Sequence, residues 1–200
     1  MSLIPDFQLG VWNAWIIMLY IFIISFLMIL NKGASRDEIR EQASGELKNK
    51  FMDRHNKNEK RALLFYHIIY FLGFIYSIFL PLKLGTIWFY IGLPISLIGL
   101  IIYTRIIVDW ITTSADVPIT KGTYQYSRHP LYLTPFIIYI GIGIASASWV
   151  FILGSIMLII IPQFFVLPEE RFLIEKYGEF YIDYMNRTPR WIGIPKSIKK

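Results

Sequence analysis

Residues 131–167 read LYLTPFIIYIGIGIASASWVFILGSIMLIIIPQFFVL, with no Asp, Glu, Lys, Arg or His anywhere in the stretch. Two apolar runs, Leu131–Ala145 and Trp149–Leu167, are separated only by Ser146, Ala147 and Ser148, a connection too short for anything but a tight helical hairpin. Each run is too long for a strand, and neither shows the polar face of a surface helix, so the pair reads as membrane-embedded. Working outward, Trp12–Leu30 is a run of nineteen residues without a charge, which at about 1.5 Å per residue matches a hydrocarbon core of roughly 30 Å. A further run, Leu63–Leu80, ends at Pro81, and another, Ile87–Ile111, contains Pro94 and turns polar near Arg105 and Asp109. The expected fold is an all-α integral membrane protein with five transmembrane helices, the last two forming a hairpin.

Composition agrees. Of the 200 residues 55% are hydrophobic, above the usual ~45–50% of a soluble domain, which also excludes disorder, collagen and coiled coil. The absence of cysteine excludes a disulfide scaffold, a cysteine-ligated metal or cluster, and thiol catalysis. The net charge of +6 is a matter of topology: nine Lys or Arg lie in 31–62, three between Arg105 and Arg128, seven after Leu167, and only Lys83 in the loop after Leu80. Lys and Arg in short loops stay on the cytoplasmic side. An odd number of spans with the N-terminus outside satisfies that partition. The flank Met1–Val11 carries Asp6 and no basic residue, so it lacks the basic region of a cleavable signal peptide, and the first helix is expected to be retained.

Residues 31–62 also hold six acids and read as a solvated, partly helical connector. After the last span, Leu173, Tyr177, Phe180, Tyr181 and Tyr184 recur at three- and four-residue spacing, the stripe of a C-terminal amphipathic helix interrupted by Gly178. We expect two units: 1–85, with two transmembrane helices and the connector, and 86–200, with three transmembrane helices and a cytoplasmic site.

The hairpin brings the segment before the fourth helix close to the segment after the fifth. In the first, Pro130 suits an opening helical position, so the following N–H groups of Leu131 and Tyr132 are expected to point at the cytoplasm with the positive helix end behind them. Such an end binds a carboxylate or phosphate. Arg128 and His129 add donors, and Tyr124 and Tyr132 add ring faces for a purine or a cation. In the second segment, Glu169 and Glu170 diverge by about 100° on a helix, so one carboxylate should face the site while the other is solvated or paired with Arg171. An anion-binding helix end, a carboxylate and aromatic faces together match a nucleoside carrying an amino acid and a positive sulfonium, S-adenosylmethionine.

These residues resemble the isoprenylcysteine carboxyl methyltransferase family and the wider membrane phospholipid methyltransferase group. The resemblance rests on Gly122, Tyr124, Arg128, His129, Pro130 and Tyr132, then Glu169 and Glu170, then Gly178, Tyr181 and Tyr184, and spans roughly residues 86 to 192. It implies methyl transfer from S-adenosylmethionine, leaving S-adenosylhomocysteine, to a lipid-like or prenylated acceptor, with carboxyl methylation of an isoprenylcysteine-like substrate first and phospholipid or amine N-methylation as the alternative. By position, Tyr124, His129, Pro130, Leu131, Tyr132 and Glu169 match the family's cofactor contacts, joined by Val117, Pro118 and Ile119 and by the neighbouring Glu170. Thr134 stands where the family usually has glycine, and Phe165 about where its eukaryotic enzymes carry a substrate-side arginine.

Arg128 is expected to hold the acceptor carboxylate; methyl transfer to an ionised acceptor needs positioning more than a base. An amine acceptor would have to lose a proton, giving His129 or a glutamate that task. Apart from the resemblance, Arg128 and His129 also read as interfacial anchors, the glutamates as helix-start acids, and Arg105 with Asp109 as an intrahelical pair. Pro94, Pro135 and Pro162 can kink their helices. His55, His67 and His129 lie on separate segments, so no metal is expected, and no nucleic-acid partner either. A sterol-reductase-like nicotinamide enzyme lacks its G-x-G-x-x-G run here, and a small transporter would place its polar site at the bilayer midplane.

Overall fold

The computed structural model describes residues 8–34, 55–113 and 117–195. Among them the chain is all-helical, with one isolated bridge, Asn13 to Pro81, and no strand. Helix α1 is Trp15–Ala34, α2 Lys57–Ser77, α3 Ile87–Thr112, α4 Pro130–Ala145, α5 Trp149–Ile160, α6 Val166–Tyr177 and α7 Glu179–Arg187. Short 3-10 turns at Gly122–Gln125 and Ile161–Phe164 precede α4 and α6.

The first apolar run enters its helix later than expected, at Trp15 rather than Trp12. The residues before it are tied to the α2–α3 loop, Ala14 donating to the Leu80 carbonyl at 2.9 Å and Leu82 to the Trp12 carbonyl at 3.1 Å. Helix α2 starts before its apolar run, because Asn56 and Glu59 form a reciprocal capping box that recruits the charged turn. The connector is therefore helical at both described ends, and 35–54 lies outside the described residues.

Helices α3 and α4 pack closest. A Cβ on Gly92 would meet the backbone of Ala145 and Gly141, and one on Gly141 would meet Ser96, so bare backbone faces bare backbone at this crossing. The α4–α5 hairpin is as tight as expected: Ser148 donates to the Gly143 carbonyl at 2.7 Å, Ala147 takes a positive φ of 53°, and the Ser148 hydroxyl caps α5. The expected fifth span is broken. Pro162 cannot donate a backbone hydrogen bond, the chain tightens into the 3-10 turn, and the course of Trp149–Phe164 bends by 44° into α6. The amphipathic tail is interrupted at Gly178 as expected, and the interruption is complete: φ of 59° there parts it into α6 and α7.

Among the described residues, α3 alone is long and apolar enough to cross a membrane by itself, and the bent pair passes the same test only when its two arms are taken together, as a broken span or a re-entrant loop. Helix α4, with 16 residues, rises only about 24 Å. Buried Ile138, Tyr139 and Ile142 of α4, Phe151 and Leu158 of α5, and Met18 of α1 fill the core between these helices.

Candidate functional site

The bend at Pro162 carries α6 beneath the start of α4, and Glu169 and Glu170 arrive there together. Pro130 occupies the first turn of α4, as its fixed φ and missing N–H favour, and His129 is the N-cap. The His129 N–H donates to the Ser127 hydroxyl at 3.1 Å, and Ser127 in turn donates to the Arg190 carbonyl at 3.2 Å. The helix end is not as open as the sequence suggests: Tyr132 donates its N–H to the His129 carbonyl at 3.2 Å.

Both carboxylates face the site, one on each nitrogen of His129. His129 Nε2 is 3.1 Å from Glu170 Oε1 and Nδ1 is 3.7 Å from Glu169 Oε2. Neither pairs with Arg171, which lies 3.5 Å from Glu59 of α2. Glu170 is buried at 3% exposure and accepts from Arg190 Nε at 3.0 Å and Nη2 at 2.8 Å. Arg128 Nη1 lies 3.0 Å from Glu170 Oε1. Burial opposes ionisation of Glu170, but the His129 and Arg190 hydrogen bonds and the Arg128 charge outweigh it and hold its carboxyl down at about 2. An ionised carboxylate only accepts, so the hydrogen between it and His129 sits on Nε2.

Glu169 differs. Burial pushes its carboxyl up, against the nearby His129 and the Tyr132 hydroxyl, which donates to Oε2 at 3.1 Å. Both of its contacts fall on Oε2; among the described residues Oε1 has no partner. Arg128 has the complementary vacancy: neither its buried Nε nor its buried Nη1 has a hydrogen-bond acceptor, the Nη1 contact to Glu170 being an ion pair only. A buried donor without an acceptor and a partly exposed carboxylate oxygen without a protein partner thus lie beside His129; the first is costly unless a ligand satisfies it, and the second is open to water or a ligand.

Aromatic rings line this centre. The Tyr132 ring stacks at 6.0 Å on His129 and meets Phe165 edge-on at 5.2 Å and Tyr66 of α2 at 5.7 Å, while Trp191 lies 6.1 Å from His129. Tyr124 stands to one side: its hydroxyl accepts from Trp110 at 2.7 Å, its carbonyl accepts from the Tyr184 hydroxyl at 2.7 Å, and its ring packs with Tyr181 and Tyr184. Ile119 and Leu131 pack on that same cluster, Pro118 is half-buried and Val117 is exposed. The structure therefore gathers Arg128, His129, Tyr132, Glu169 and Glu170 at one point. Tyr124, Pro130 and Leu131 adjoin it, Ile119 packs on the Tyr124 cluster, and Val117 and Pro118 are not brought to it among the described residues.

The phospholipid methyltransferase family model matches residues 80–180. The chain belongs to that family. It is accordingly a membrane methyltransferase, and both halves of its polar centre, the α4 entrance and the start of α6, fall inside the matched region. No curated protein matches the chain.

Sequence reasoning missed Arg190, Ser127, Trp191 and Tyr66. Arg190 was one positive charge among seven in the tail. Its only local signal is its setting between Pro189 and Trp191, a cation followed by an aromatic beyond the last amphipathic turn. The Arg105–Asp109 pair is present at 3.4 Å, but Asp109 also accepts from the Thr123 N–H at 3.0 Å and hydroxyl at 2.9 Å and so holds the turn before α4. Among the described residues no group of three or more His, Asp or Glu is placed to hold a metal.

Proposed function

We propose that this methyltransferase takes its methyl group from S-adenosylmethionine and delivers it to the polar end of a lipid at the cytoplasmic mouth of a five-span bundle, with the N-terminus outside. The first two spans (1–85) serve as a support and wall, and 86–200 as the methyltransferase core. The observation that carries the reading is the matched pair of vacancies, Arg128 Nε and Glu169 Oε1, on either side of His129. An amino acid's carboxylate suits the first; its ammonium or a ribose hydroxyl suits the second. Tyr132 and Trp191 supply ring faces for a base and for a sulfonium. Bound there, S-adenosylmethionine supplies an activated methyl whose departure leaves a neutral thioether.

The acceptor follows from what the remaining groups do. A carboxylate acceptor, such as an isoprenylcysteine, needs a cation to hold it. Arg190 and Arg128 are both turned onto Glu170, and Phe165 is buried against Tyr66 and Tyr132. An amine headgroup needs instead a base for its proton. With the hydrogen on Nε2, the His129 ring turns Nδ1 towards the side of Glu169, 3.7 Å from its Oε2, as the atom to take up that proton. We therefore place a phospholipid-type amine ahead of the isoprenylcysteine carboxylate.

Calorimetry with S-adenosylhomocysteine on folded, detergent-solubilised protein tests the donor: binding is expected, and Glu169→Gln and His129→Ala should weaken it. No heat from the folded wild type defeats the reading. Incubation with radiolabelled donor and membrane lipids tests the acceptor, since label that stays on the headgroup through base indicates an amine and label released as methanol indicates an ester.

A further inference from the structure

The C-terminal segment after α7 lies beyond the matched family region yet is fastened across the site. Arg128 donates its N–H to the Pro189 carbonyl at 3.0 Å, Gly193 donates to the Tyr126 carbonyl at 3.0 Å, and Ser127 binds the Arg190 carbonyl. Trp191 is tied to the 3-10 turn by a 3.1 Å hydrogen bond from its indole to Gln163. From this strap Arg190 reaches Glu170 with a two-pronged contact that fixes the plane of the carboxylate. The same carboxylate holds His129 Nε2.

We propose that Arg190 is a positioning residue: by locking the orientation of Glu170 it fixes His129 with its hydrogen on Nε2, so that Nδ1 faces the reaction side. Arg190 touches neither donor nor acceptor in this scheme. Without its fork, Glu170 keeps only the ion pair to Arg128 and the contact to His129, both on Oε1, so its carboxylate plane is no longer fixed and its hold on the imidazole tautomer loosens. Five groups face Glu170 besides Arg190: Arg128 before α4, His129 at its cap, Glu169 on its own helix, and Tyr181 and Tyr184 of α7. Of the cations among them, Arg190 alone makes two hydrogen bonds to it.

The role assigned to His129 rests on the methyltransferase mechanism above, so the test separates the two. In the ligand-free protein, 15N-histidine spectra are recorded at a pH where the ring is neutral, with the His129 signal assigned by its loss in His129→Gln. Wild type should show the Nε2–H tautomer alone, and Arg190→Gln a mixture. Arg190→Lys should restore it only in part, because a single ammonium cannot make the forked contact. Turnover is expected to fall about a hundredfold in Arg190→Gln, the scale of a displaced catalytic group, with the lipid KM little changed. In a Glu170→Gln background the same substitution should cost almost nothing further, because both act through one carboxylate. Penalties that multiply, or a single unchanged tautomer in Arg190→Gln, overturn the proposal. A wild type that shows the tautomer but binds no S-adenosylhomocysteine overturns the mechanism and leaves the positioning intact.

Discussion

Gly122 shows how a single residue sets the geometry of the site entrance. Its φ is 65°, and a Cβ would lie on the Asp109 carboxylate, which accepts two hydrogen bonds from Thr123. Gly122→Ala is expected to cost ~1–3 kcal/mol through backbone strain and to weaken S-adenosylhomocysteine binding, as thermal unfolding and calorimetry in detergent will show. Glu170 gives a pH prediction. Its carboxyl is lowered from 4.5 to about 2 on folding, so the folded state binds fewer protons there than the unfolded chain. The stabilisation is complete above the ordinary carboxylate range and is lost as pH falls from about 4.5 towards 2. Unfolding midpoints measured across that window should drop in wild type and drop less in Glu170→Gln. At this scale the sequence was legible where chemistry was contiguous: Arg128, His129, Pro130 and Tyr132 lie in one short stretch and Glu169 and Glu170 in another. It was illegible where a partner came from afar, since no spacing rule links Arg190 to a carboxylate twenty positions earlier or Arg171 to Glu59.

At the scale of elements, the fifth apolar run is the instructive case. Hydropathy marks where a chain prefers hydrocarbon but carries little information about direction, so Trp149–Leu167 reads as one span. Pro162 marks where a kink can form; its consequence, a 44° bend that places two carboxylates under the neighbouring helix, depends on how α5 packs on α2 and α4. Pro162→Ala restores a backbone donor and should straighten this junction. The expected result is unchanged or slightly greater helicity by circular dichroism together with a marked loss of S-adenosylhomocysteine affinity; retained affinity would show that the bend does not aim the glutamates. The α4–α5 hairpin was legible in full because three residues leave the chain no other course. The boundaries of α1 and α2 were not, because a bridge to Pro81 and a capping box at Asn56 decide them rather than hydropathy.

For the whole molecule, the charge partition is the main guide to orientation, and it yields a direct check. The chain has no cysteine, so Leu84→Cys and Glu179→Cys each introduce a unique exposed thiol. In intact cells an impermeant maleimide should label the first and spare the second until the membrane is opened; the reverse pattern would invert the topology. The family-matched region begins at residue 80, yet Tyr66 packs on Tyr132 and Phe165 from α2, and Glu59 pairs with Arg171. The polar centre and the wall it leans on are thus encoded in different halves of the chain. Exchange of the first eighty residues for an unrelated helical pair would leave every signature residue in place while remaking one side of the polar centre. Selectivity could then drift in such a lineage while its transfer chemistry stood still.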